Sequence, residues 1–356
     1  MRIAIIADVL DRNNAGISQY ARQLIMHLKR WHELTVVHVK KSDDPVFEGT
    51  REIIVPRFFS SPSLLRLFVN LFLRNLDVDI IHHPSTLGAF ALPMRQKLVQ
   101  TVFDVIPLKL PKTRTWWNGF LYRFLAKPSI RNADAIITIS NNSKKDICEM
   151  LHVPEEKIFI TPLASMYSVP TRADVEKVQK RHGISYPYFI YVGTFEPRKN
   201  IVRMLDAFAL SGLPHHFLLV GSRGWKDEHV FRKAAGMKNV HVLSGVPNED
   251  LPALYAGAAA LVYVSLYEGF GLPVVEAMSC GCPVISSCTS SLPEVGGSAA
   301  LYVDPYHVGC IARAMKMAVK RRAVLSKKGQ RQAKKFSWER TARLTEQVYR
   351  SLYRNQ

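Results

Sequence analysis

The chain has 356 residues, 47% of them hydrophobic and 10% aromatic, which fits a folded soluble protein too long for one average core, so two domains are expected. Five cysteines (Cys148, Cys280, Cys282, Cys288 and Cys310), an odd number with no CxxC pair, argue against a disulfide framework or a zinc site and for a reducing compartment. A net charge of +19 calls for an anionic partner, and the lack of an RNA- or DNA-binding signature favours anionic lipid over nucleic acid.

Met1-Arg2-Ile3-Ala4-Ile5-Ile6-Ala7-Asp8 is an apolar run broken by Asp8 and reads as a strand over 2–8, not a signal peptide. No stretch offers the ~20 apolar residues of a membrane span. Residues 17–30 set Ile17, Tyr20, Ala21, Leu24, Ile25 and Leu28 at helical spacing. Asn14-Ala15-Gly16 places Gly16 at that helix start, on the edge where open α/β sheets bind ligands. Strands are expected over 34–39 and 52–55. Residues 61–76 form a helix with a wide apolar face and a cationic edge, which is either a core helix with a solvated stripe or a helix lying at a membrane interface.

A strand over 78–82 opens on Asp77-Val78-Asp79, a DxD of the metal-binding type. It stands at the wrong end of the strand for a ligand, so no metal is assigned to it. His82 and His83 stand at the correct end and are candidates for a sugar or acceptor contact, or a structural pair. A buried strand over 97–103 ends in Asp104-Val105-Ile106-Pro107. Residues 109–127 mix lysine and arginine with Trp116, Trp117, Phe120 and Tyr122. That mixture suits either aromatics packed inward or a lipid headgroup layer. A strand over 135–139, a helix over 141–151 and a strand over 157–161 close this half, and 162–170 is the expected hinge.

The alternation then restarts, as in a second parallel sheet with crossover helices. Strands are expected over 188–192, 217–220, 240–243 and 258–264, with helices over 201–209, 227–235 and 248–257. After the first of these strands comes Gly193-Thr194-Phe195-Glu196-Pro197-Arg198-Lys199-Asn200, which sets two good phosphate partners at the sheet edge. After the fourth comes Tyr267-Glu268-Gly269-Phe270-Gly271-Leu272-Pro273-Val274-Val275-Glu276. Proline suits the first turn of a helix, and the unpaired N–H groups there, with the helix dipole, make an anion site. Glu268 precedes that site and Glu276 lies one turn inside, so two hydroxyl-accepting carboxylates flank one anion pocket. Hydroxyls on both sides of a phosphate describe a nucleotide-sugar. Residues 311–335 carry ten cations and no acid, either a solvated face or part of a field that attracts a membrane or phosphate.

These stretches resemble the retaining GT-B glycosyltransferases of glycosyltransferase family 4 (glycosyl transferases group 1). The resemblance covers nearly the whole chain and is strongest over 188–305. Its most specific parts are residues 191–200 and the run from Asn248-Glu249-Asp250-Leu251-Pro252-Ala253-Leu254-Tyr255 to Glu276-Ala277-Met278, with two glutamates separated by seven residues. Ser291-Leu292-Pro293-Glu294-Val295 and Val303-Asp304-Pro305 look like further family positions, and residues 104–107 and 133–140 match less specifically.

The implied fold is α/β of the GT-B type: two Rossmann-like βαβ domains facing each other across a cleft, with the C-terminal helix crossing back to the N-terminal domain. Residues 1–168 plus 337–356 would bind the acceptor and 169–336 the donor. The implied activity is metal-independent, cofactor-free, retaining transfer of a hexose of mannose or glucose type from a GDP- or UDP-sugar to a lipid-linked or polysaccharide acceptor. The implied setting is the cytoplasmic face of the membrane. By resemblance, Arg198 and Lys199 neutralise the leaving diphosphate and Glu268 holds sugar hydroxyls. Glu276 holds the ribose and Val246 meets the base. Gly16, Gly193, Thr194, Gly269, Phe270, Gly271, Leu272 and Val274 line the donor, partly through their backbone.

Three positions depart from the family pattern. Ala15-Gly16 replaces a glycine pair, Thr194 stands where some members carry Arg, and Phe103 replaces the His that precedes Asp104 and contacts the donor sugar. Either His82 or His83 takes over that contact, or the donor needs none. An epimerase or phosphorylase of the same fold, or a non-catalytic module binding polyanions or membranes, are the other readings the sequence allows.

Overall fold

The computed structural model describes residues 1–10, 15–40, 44–55, 73–86, 94–110 and 126–354. The expected helices over 61–76 and 109–127 therefore fall largely outside the described residues, with Trp116, Trp117, Phe120 and Tyr122, as does Asn14. The chain divides into two units, Met1–Leu163 with Trp338–Gln356, and Ala164–Ser337.

The first unit holds a seven-stranded, wholly parallel sheet in the order β3-β2-β1-β4-β5-β6-β7. Its strands are β1 (Arg2–Ile6), β2 (Glu33–His38), β3 (Arg51–Ile54), β4 (Ile80–His83), β5 (Lys97–Thr101), β6 (Ala135–Thr138) and β7 (Ile158–Ile160). Most strand residues are buried, as expected of parallel strands covered on both faces; the edge strand β3 is largely exposed. One core cluster joins Ala4, Ile6, Val37, Ile81 and Leu98, and another joins Val102, Ile130, Ile136, Ile147 and Ile158. Strand order reverses between β1 and β4, where Ile3 pairs with Ile80 and Ile5 with His82.

The C-terminal helix, Trp338–Arg354, belongs to this first unit, as the sequence reading expects. Its buried positions Trp338, Thr341, Ala342, Thr345, Val348 and Tyr349 recur at helical spacing. Trp338 lies 6.4 Å from the Tyr20 ring, and Thr341 donates to the Pro162 carbonyl. Tyr349 Oη and His82 Nδ1 are 2.6 Å apart, and His82 Nε2 is 2.8 Å from Thr101 Oγ1.

At the opposite edge of the sheet, Arg2 pairs with both Asp77 and Asp79, and its amide donates to Asp79 at 2.8 Å. The DxD is thus occupied in holding the N-terminal end of β1 to β4.

The second unit repeats the plan with six parallel strands in the order β10-β9-β8-β11-β12-β13. They are β8 (Tyr188–Val192), β9 (His216–Val220), β10 (Val240–Leu243), β11 (Leu261–Tyr263), β12 (Val284–Ser287) and β13 (Ala300–Val303). Order reverses between β8 and β11, which pair at Ile190 and Leu261. The loops leaving these two strands therefore emerge side by side, and crevices at such switch points bind ligands. Among the described residues no helix is long and apolar enough to cross a membrane.

Tyr349→Phe removes the hydroxyl partner of the buried His82 Nδ1 without changing shape. It is expected to lower the stability of the first unit by about 1–3 kcal/mol, read from urea unfolding.

Candidate active site at the sheet edge of the second unit

The loop after β8 is fixed by backbone contacts before any ligand is considered. Phe195 N–H donates to the Ser222 carbonyl at 3.0 Å. At Gly221 (φ +153°) a Cβ would stand 2.0 Å from the Gly193 carbonyl oxygen, so only glycine lets the two strand ends approach. The loop ends in a 3-10 turn, Pro197–Lys199, followed by Asn200 in the left-handed conformation at φ 61°. The Asn200 side-chain amide donates to the carbonyls of Val264 (3.0 Å) and Pro305 (2.7 Å). Leu266 N–H donates to the Arg198 carbonyl at 2.8 Å, so the loops after β8 and β11 are laced together.

That lacing brings three ions into contact. Glu268 accepts from Arg198 Nη1 at 2.8 Å through one carboxylate oxygen and from Lys199 Nζ at 2.7 Å through the other. Arg198 also reaches Glu196 at 3.2 Å and the Tyr267 carbonyl at 3.0 Å, and Lys199 donates to the Tyr263 hydroxyl at 2.7 Å. The side chains of Arg198, Lys199 and Glu268 are only 11%, 9% and 8% exposed. Burial alone would push the Glu268 carboxyl up, but the charges of Arg198 and Lys199 carry it down to about 2. Burial lowers the Lys199 ammonium, with Glu268 opposing that effect. Glu268 N–H donates to Ser290 Oγ at 3.0 Å, and Ser291 Oγ donates to the carbonyls of Glu268 and Phe270.

The helix Leu272–Ser279 begins at Gly271, whose φ of 104° and contact with Leu292 (2.5 Å for an added Cβ) admit only glycine. Val274 N–H is taken up by the Gly271 carbonyl at 2.9 Å, so of the three amides expected to meet an anion it is engaged inside the turn. Among the described residues those of Gly271 and Leu272 have no backbone acceptor. One turn on, Glu276 is buried and accepts from Tyr255 Oη at 3.0 Å. Burial pushes its carboxyl up to about 7, against the pull of that hydrogen bond. Two glutamates eight positions apart thus stand at opposite ends of the carboxylate range. One is held ionised by cations, and the other is pushed toward its neutral form by burial, against the hydrogen bond from Tyr255.

The remaining expected donor residues of this unit lie on the same edge. Gly193 and Thr194 follow β8, Gly269 and Phe270 follow Glu268, and Val246 follows Gly245 (φ +70°) just beyond β10. The Phe270 ring turns inward onto Phe336 with centroids 5.7 Å apart, so only its backbone faces the loop. Two tyrosines that the sequence reading missed hold Lys199 and Glu276, Tyr263 and Tyr255, and a third, Tyr167, has its phenol raised by burial and by the charge of Glu276. In sequence, Tyr263 and Tyr255 are indistinguishable from ordinary core positions of a strand and a helix.

In the first unit Gly16 opens the helix Ala15–Leu28, where an added Cβ would meet no described atom within 4 Å. The packing of the described residues does not itself require glycine there. The suggestion that His82 takes over a sugar contact finds no free ring nitrogen. His82 is fully buried between Tyr349 and Thr101, and burial lowers its imidazole to about 3. His83 is also buried, with Nδ1 3.2 Å from the Ser85 carbonyl. Asp104 Oδ1 accepts from Ile106 N–H at 3.0 Å. Phe103, in place of the family histidine, packs edge-on against Tyr20 at 5.1 Å.

Two family models match the chain: "Glycosyltransferase Family 4" over residues 15–164 and "Glycosyl transferases group 1" over residues 174–336. The O-antigen chain mannosyltransferase B of Escherichia coli is 36% identical, covering 99% of this chain and 100% of its own length. The O-antigen chain mannosyltransferase RfbU of Salmonella typhimurium is 26% identical, covering 83% of this chain and 85% of its own. Among solved structures, Anabaena Alr3699/HepE in complex with UDP and glucose superposes with a TM-score of 0.80 at 17% identity, over 99% of this chain and 100% of that one.

The opposed environments of the two glutamates predict opposed stability effects. Glu268→Gln leaves the buried Lys199 without a carboxylate partner and Arg198 with Glu196 alone, and is expected to cost about 3–5 kcal/mol at pH 7 in urea unfolding. In the unsubstituted protein the Glu268 contribution is present above the ordinary carboxylate value of 4.5 and is lost as pH falls toward about 2. Glu276 has the reverse sign, since its cost to the fold grows as pH rises from 4.5 through about 7. Glu276→Gln is therefore expected to raise Tm by about 5 °C at pH 8, with the difference closing toward pH 5.

Proposed function

The chain belongs to glycosyltransferase family 4, and on that footing we propose that it transfers mannose, with retention, from a nucleoside diphosphate donor to a lipid-linked glycan of O-antigen type. The observation that carries the donor side is the Arg198–Glu268–Lys199 cluster at the switch point, beside the start of the helix that contains Glu276. The identity with an O-antigen chain mannosyltransferase supports the sugar and the acceptor class. Anabaena Alr3699/HepE has been seen with UDP, and for this chain the donor is a GDP- or UDP-sugar.

Transfer breaks the bond between the sugar C1 and the diphosphate oxygen and forms a bond from C1 to an acceptor hydroxyl on the same face. The hydroxyl proton passes to the departing diphosphate. Negative charge then gathers on the diphosphate, where Arg198, Lys199 and the amides of Gly271 and Leu272 lower its energy. Two buried cations supply the charge that a divalent metal supplies elsewhere, so the reaction proceeds without one. Glu276, in its ionised form, accepts from the ribose hydroxyls.

Glu268 has two tasks in sequence. In the free protein its oxygens are both engaged by Arg198 and Lys199. As phosphate oxygens arrive they take over the cations, and the Glu268 carboxylate becomes available to sugar hydroxyls. The acceptor is reached at an anionic cytosolic membrane surface, for which the net charge of +19 is the support.

A thermal-shift screen of nucleotide-sugars in the presence of EDTA is expected to show stabilisation by a mannose donor. No shift with any donor removes the basis of this function. Glu276→Ala is expected to weaken nucleotide binding about 10- to 100-fold by calorimetry, and unchanged affinity moves the ribose contact elsewhere. In the same screen Tyr263→Phe, which frees Lys199 from its phenol partner, is expected to keep donor affinity within about fivefold while kcat falls further.

A further inference from the structure

Two consecutive helices of the second unit, Val308–Lys320 and Arg322–Ala333, each bury one face and expose a stripe of the same design. The first buries Ile311, Ala314, Met315 and Ala318 and exposes Arg313, Lys316, Met317 and Lys320. The second buries Leu325, Gly329 and Ala333 and exposes Val324, Lys327, Lys328 and Arg331. Both stripes follow the i, i+3, i+4, i+7 spacing of a single helix face. Each holds three cations and one apolar side chain. Met317 is 43% exposed and Val324 49% exposed, and they flank the junction between the helices at Arg321.

The cations in the stripes differ from those on other surface helices of the chain. Arg172, Arg343 and Arg350 pair with glutamates four residues away on their own helices. Residues 311–335 contain no acid, and among the described residues no carboxylate pairs with the six striped cations. Ten of the chain's positive charges fall in those 25 residues, against a net charge of +19, so the excess is concentrated there. No aromatic residue lies within 308–335, so nothing offers a base a stacking platform. Unpaired cations around exposed apolar side chains match the headgroup region of an anionic bilayer.

We propose that the exposed stripes of the helices Val308–Lys320 and Arg322–Ala333 form a docking face for an anionic phospholipid surface. The donor-binding unit then has a membrane contact of its own. The proposal rests on the membrane setting given above, though not on the transfer chemistry.

Flotation with vesicles of phosphatidylglycerol and phosphatidylcholine tests it. The protein is expected to float with these vesicles, not with pure phosphatidylcholine, and to be released as salt rises. Lys316→Gln/Lys320→Gln/Lys328→Gln is expected to weaken partition about 100-fold, each charge contributing about fivefold. Lys177→Gln/Lys180→Gln/Lys238→Gln removes the same charge from elsewhere on this unit and is expected to cost less than about fivefold. Equal loss in the two variants, or vesicle binding that a short DNA duplex abolishes at equal phosphate concentration, overturns the docking face. So does absence of flotation at low salt. A protein that floats through the stripe but binds no nucleotide-sugar leaves this inference standing and removes the function proposed above.

Discussion

The second unit is organised around a buried contact of two cations with one carboxylate. Taking Arg198, Lys199 and Glu268 out of water costs several kcal/mol for each ion unless geometry and further hydrogen bonds compensate. The surrounding residues are arranged to that end. Tyr263 takes another Lys199 proton, Glu196 takes the far side of the Arg198 fork, and Ser290 and Ser291 hold the backbone that aims Glu268. Ser290 is itself held at φ 55°, a conformation that few side chains adopt and that clusters where a site is over-determined. All of this depends on one topological fact, the reversal of strand order between β8 and β11, which sets the two loops side by side.

The two carboxylates show how one short segment yields two chemistries. Glu268 and Glu276 lie on the same loop and helix and are both buried, yet one is held ionised by cations while the other is left to a tyrosine and an apolar wall. An ionised Glu268 holds Arg198 and Lys199 in place, one on each carboxylate oxygen. A Glu276 poised near neutrality accepts from hydroxyls in one protonation state and can donate to them in the other.

Much of this was readable from residue order alone. The strand Tyr188–Val192 falls where its apolar run places it, because a central strand covered on both faces has no polar position to blur its ends. The glycine loop was legible for a similar reason, since Gly271 and Pro273 each admit few backbone conformations. The partners of the charged groups were not legible. Tyr263 and Tyr255 act through hydroxyls on rings that otherwise pack like any core aromatic, and nothing in their spacing marks them. His82 could be read in two ways, as a sugar or acceptor contact or as a structural residue, and only the return of the helix Trp338–Arg354 shows that Tyr349 engages its ring.

That return has a consequence for the order in which the molecule is made. Strands β1 to β7 precede the whole second unit along the chain, but His82 meets Tyr349 across 267 positions, and the aromatic cover over Tyr20 includes Trp338. The second unit closes much sooner, since its longest tie to the cation loop, from Asn200 to Pro305, spans 105 positions. The unit whose strands come earlier in the chain is thus completed by a helix that follows the other unit. During synthesis the second unit has all its residues before the helix Trp338–Arg354 exists, so the first unit is the later to be completed.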